Sequence, residues 1–136
     1  MMRETSEYSQ MLAPTLEDIE VLARAAFAAL PQAFRDLCGE VPIVVQDFPD
    51  DEVLAELDLD SPFDILGLFQ GPDLASRDVG GVPDATMIFL YRRPMLDYWA
   101  EHEENLAAVV RHVLVHEIGH HFGLSDHDME RIESEA

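Results

Sequence analysis

The chain has 136 residues, 48% of them hydrophobic, which suits one domain with a modest core and excludes wholesale disorder. Its 8 basic and 28 acidic residues give a formal charge of -20, which argues against a protein that grips a nucleic-acid backbone or an anionic membrane. No apolar run reaches the length of a membrane span, and Met1 to Ser6 lack the apolar core of a secretory signal. The single cysteine, Cys38, permits no intrachain disulfide, so the reading is a cytoplasmic protein.

Residues 1–13 are polar and read as a flexible N-terminus, with 14–136 as one domain. Thr15 opens a helix, with Glu17 and Asp18 in its first turn and apolar residues at helical spacing through Leu30. Pro31 interrupts and starts a second short helix ending near Leu37, with Gly39 as its stop and Cys38 as a packing residue at its end. Val41 to Asp47 is short and β-branched and reads as a strand. Asp50 to Leu57 reads as one or two acidic helical turns. Ile65 to Gln70 is a second strand, closed by Gly71-Pro72. Residues 71–84 read as a long loop, because they hold three glycines and two prolines among polar residues. Thr86 to Tyr91 is a third strand and, lacking internal glycine or proline, the candidate edge for pairing with an extended peptide. Arg92 and Arg93 end that strand, and Pro94 starts a helical turn through Trp99.

The helical period is clearest from Glu103 to Phe122, where Leu106, Val109, Val110 and Val113 form an apolar stripe. One turn further on lie His116, Glu117 and His120, in the arrangement H-E-x-x-H. Two imidazoles four apart on one helix face can bind one Zn²⁺, with the glutamate beside the open coordination position as general base. Gly123 permits a sharp turn that swings the next loop back toward the histidines. A carboxylate from Asp126 then completes a three-ligand site with a fourth position for water. His127 is the rival for that place, since imidazole is the commoner zinc ligand, and Glu130 and Glu133 stand behind it. Ser125 also reads as the N-cap of a last helix through Glu135, with Asp128 three residues on. His121 reads as a packing residue, His112 as a group able to hydrogen-bond near the site, and His102 as a surface residue. Tyr91, Tyr98 and His121 are the candidates for steadying an oxyanion.

The pattern H-E-x-x-H-x-x-G-x-x-D resembles the zincin signature in its aspartate-ended form, related to that of the metzincins. The chain as a whole, over roughly residues 15 to 135, resembles the small bacterial zincin-like metallopeptidase family. The likeness lies in Leu66 to Gly71, Ile88 to Arg92 and Val115 to Asp126. It implies a minimal α+β fold, with a small mixed sheet of three or four strands packed on the active-site helix. It also implies His116, His120 and Asp126 as metal positions and Glu117 as catalytic acid and base, in a monomer acting on a peptide or protein. The methionine turn of the metzincins has no secure counterpart, since Met129 lies close behind the motif. The competing reading is a non-catalytic binding or regulatory module that keeps the metal site as structure. A third is a metal hydrolase acting on a non-peptide amide.

Overall fold

Thr15 begins the first helix with a reciprocal cap. Its hydroxyl accepts the Asp18 amide at 3.1 Å, and the Asp18 carboxylate accepts the Thr15 amide at 2.8 Å. This is the capping box expected of threonine followed three residues later by an acid. In the computed structural model, which describes residues 8–71 and 86–136, helix α1 spans Leu16–Ala29 and α2 spans Gln32–Cys38. Residues 1–7 of the expected flexible N-terminus, and the expected loop apart from Gly71, lie outside the described residues. Strand β1 (Ile43–Gln46), the short acidic helix α3 (Asp51–Glu56), β2 (Gly67–Gln70) and β3 (Met87–Tyr91) follow.

The sheet is mixed, in the order β1-β3-β2, with β1 parallel and β2 antiparallel to β3. Strand β3 is therefore central, which corrects its assignment as an edge. Strand order is set by long-range pairing, and the composition of a single strand does not reveal it. Alternation along the strands sends Ile88 and Leu90 to one face, beside Ile43, Gly67 and Phe69 of the neighbouring strands. That face carries the core, where Ile88 and Leu90 are fully buried against α1 and the long helix that follows.

Helix α4 (Arg92–His102) starts two residues before Pro94, because proline is tolerated in the first turn, where its missing N–H would have no helical partner. Helix α5 spans Leu106–His121, and Asn105 caps it by accepting the Ala108 amide at 2.8 Å. Its buried face is Val109, Val110, Val113, Leu114 and Ile118. This face lies along β2, with Val113 against Gly67 and the His121 ring tilted against Phe69. Helix α6 (Asp126–Glu135) closes the fold by setting Met129 and Ile132 into the same core. The outcome is the α+β arrangement of six helices and three strands, counted among the described residues. No helix among them is long and apolar enough to cross a membrane.

Candidate metal centre

The site is built on a helical hairpin. At the end of α5 the Leu124 amide bonds to the Gly119 carbonyl at 2.8 Å and the Gly123 amide to the His120 carbonyl at 3.2 Å. This pair of bonds is a Schellman motif, which needs a left-handed residue, and Gly123 supplies it at φ 74°. Ser125 starts α6 with a second capping box to Asp128, as the sequence predicts. The helices then run antiparallel. Met129 lies against Gly119, so closely that a Cβ there would collide with its Sδ and Cγ, and Glu133 reaches back to His112. Gly119 sits between His116 and His120, so the fully buried Met129 packs directly behind the motif.

His112, His116 and His120 form a ladder on α5. Ring centroids are 3.9 Å apart between His112 and His116 and 5.7 Å apart between His116 and His120. A helix turns about 100° per residue, so each step of four advances the ladder by about 40°. His116 and Glu117 are half-buried, and His120, one turn further on, is exposed. The buried face continues instead through Ile118 and Gly119.

Glu133 stands across from the ladder. Its Oε1 is 2.9 Å from His112 Nδ1 and its Oε2 is 4.0 Å from His116 Nε2. Among the described residues, His112, His116 and Glu133 are the three metal-ligating groups whose donor atoms lie within 4.8 Å of one another. His120 and Asp126 are not in that group. Asp126 is the exposed first residue of α6, and His127 beside it is exposed too. The sequence offered His112 and Glu133 only as lesser candidates, because their meeting depends on how two helices dock. The visible signal was the i, i+4 repetition of histidine.

His116 feels all of these groups. Burial and the neighbouring His112 push its pKa down, Glu133 and Asp126 oppose this, and His120 adds to it. The net fall favours the neutral imidazole, which is the form that ligates metals. Burial raises the Glu117 carboxyl to about 7. Tyr91, buried at the end of β3, has its phenol pushed up to about 12 by burial and by the charges of Asp50 and Glu117. Of the three oxyanion candidates, Tyr91 is thus the one placed in the field of Glu117. Tyr98 stacks on the exposed His102 at 3.7 Å, and His121 packs on Phe69 at 4.3 Å. A His116 imidazole biased to its neutral form, nearby carboxylates and a desolvated glutamate together fit a divalent cation such as zinc.

The family described as zincin-like metallopeptidase matches residues 38–136, from the end of α2 through α6. Helix α1, included in the likeness read from the sequence, lies outside the matched span. Among curated proteins, none matches the chain.

Proposed function

The chain belongs to the zincin-like metallopeptidase family, and from that premise we propose that it is a cytoplasmic, monomeric zinc-dependent peptidase. In this reading His116, His120 and Asp126 hold the metal and Glu117 is the acid–base group. The observation that carries it is the desolvated Glu117, raised to about 7, inside an H-E-x-x-H helix. A bound zinc ion supplies Lewis acidity to a water molecule and to the scissile carbonyl. Glu117 takes the proton of the attacking water and passes it to the departing amine, and a carboxyl titrating near neutrality is suited to both transfers. Strand β2 is a sheet edge and lies on α5, so its outer backbone groups offer pairing to an extended peptide.

A second reading, a metal-stabilised module without catalysis, is favoured by the crowding of four ligand-capable groups around His116. Structural zinc normally has four protein ligands. The test is zinc-loaded wild type against Glu117→Gln on a diverse peptide library, with bound zinc measured in both. The expected result is equal zinc content and a loss of hydrolysis of about 10²-fold or more in the variant. Persistent turnover in purified Glu117→Gln would remove Glu117 from the mechanism. An inert wild type whose X-ray absorption spectrum shows four protein ligands would support the module.

A further inference from the structure

His116 has two sets of ligand-capable neighbours. His120 and Asp126 belong to the motif, whereas His112 and Glu133 do not. We infer that His112, His116 and Glu133 form a second seat for a divalent cation, and that it shares His116 with the motif. One ion then occupies either seat, and an ion in the second seat holds the protein in a non-hydrolytic form. The regulatory consequence rests on the proposed peptidase function, whereas the seat itself rests on its own three residues.

The geometry is close to what an ion requires. Ligands at about 2.1 Å in tetrahedral array are about 3.4 Å from one another. Glu133 approaches the two rings through different oxygens, 2.9 Å from Oε1 to His112 and 4.0 Å from Oε2 to His116, and one donor atom from each of the three residues lies within 4.8 Å of the others. The longer Glu133 approach is beyond a hydrogen bond, so a hydrogen bond accounts for the His112 side of the cluster but not for the approach of His116. The two carboxylate oxygens face different imidazoles, whose rings are tilted against each other with centroids 3.9 Å apart. Side-chain exposures of 19% for Glu133, 28% for His116 and 45% for His112 leave an open quarter where water can complete the coordination. The donors are two nitrogens and one oxygen, a set suited to zinc and its neighbours in the transition series.

Exclusivity follows from the shared ring. His116 Nε2 is the atom that faces Glu133, and a nitrogen lone pair serves one ion. An ion seated with Glu133 therefore withdraws His116 from His120. The motif seat has an exposed carboxylate in Asp126 at its rim, whereas Glu133 is the more buried partner and is already oriented by His112. The second seat is accordingly the more preorganised of the two.

Cobalt titration tests this, with chelator competition for affinity and the visible ligand-field bands for coordination. Wild type should bind one Co²⁺ per chain. His120→Ala/Asp126→Ala removes the motif partners and should still bind one, within about tenfold of wild type. Adding Glu133→Gln to that pair should cost about a hundredfold or more, and His116→Ala should lose both seats. His112→Gln/Glu133→Gln should bind one Co²⁺ with altered ligand-field bands. Circular dichroism checks folding, and His120→Asn/Asp126→Asn replaces the alanine pair if that pair unfolds. Binding by His120→Ala/Asp126→Ala no tighter than by His116→Ala overturns the seat, and two tightly held ions in wild type overturn exclusivity. All of these readouts are of binding, so zinc-loaded His112→Gln/Glu133→Gln, whose ion is confined to the motif seat, would sink the peptidase reading if it cleaved no peptide and would leave them standing.

Discussion

Glu117 is the residue whose surroundings make the plainest physical demand. Burial raises its carboxyl from the ordinary 4.5 to about 7, so the folded chain keeps a proton that the unfolded chain releases between those values. Stability from this group is fully present below about pH 4.5 and is lost as pH rises through about 7. The loss is at most about 3 kcal/mol, from 1.36 kcal/mol per pH unit. Urea unfolding of chelator-treated wild type and Glu117→Gln, between about pH 4.5 and about pH 7.5, should show the variant gaining on wild type by about 2–3 kcal/mol. The other titrating groups are common to both chains and cancel in the difference. Zinc should flatten the contrast, because a cation beside the carboxylate replaces the proton. Parallel stability curves in the stripped proteins would mean that Glu117 is hydrated and would take away its tuning for proton transfer.

At the scale of elements, the α5–α6 hairpin decides where every candidate ligand stands, and Gly119 against Met129 sets its closeness. Alanine at 119 gains about 1 kcal/mol of helix propensity but meets Met129 Sδ and Cγ head-on, an overpacking that costs about 1–3 kcal/mol. We expect Gly119→Ala to destabilise by about 1 kcal/mol and to weaken zinc binding as α6 is pushed outward. Met129→Ala alone should cost about 2–5 kcal/mol. The double variant should lose less than the sum, because the clash is gone, and an additive result in denaturant unfolding would show that α6 had never been displaced. Much of this hairpin was legible. Ser125 with Asp128, like Thr15 with Asp18, is a cap made of residues three apart, and Gly123 is a turn made of its own backbone, so both are local facts. The meeting of His112 with Glu133, 21 residues away, and the central place of β3 are not local, and periodicity carries no information about either. The H-E-x-x-H spacing identified the helix, but the exposure of His120 in its last turn became visible only against the packed core.

At the scale of the whole molecule, the span that the family matches and the folded core do not coincide. The match starts at residue 38, yet Ile19 and Ala23 of α1 are fully buried and α1 packs on both β1 and α5. The core that supports the metal centre therefore draws on a helix outside the matched span. The chain that builds this core carries 28 acidic and 8 basic residues. Arg24 with Glu20, Arg92 with Asp47 and Arg131 with Asp128 are paired, but most carboxylates have no cation to meet, and a net charge of -20 repels itself. Pairs this exposed contribute little, so screening should relieve more repulsion than it costs in attraction. Raising NaCl from about 0.01 M to about 0.15 M shortens the Debye length from about 30 Å to about 8 Å. That should raise the thermal midpoint by about 4 °C, as about 1 kcal/mol of repulsion is removed. The same screening should slow capture of a cationic peptide and leave a neutral one unaffected, which stopped-flow binding can separate. A midpoint that falls with salt would mean that the few ion pairs outweigh the surplus charge, and that the acidic surface neither strains the fold nor steers a substrate.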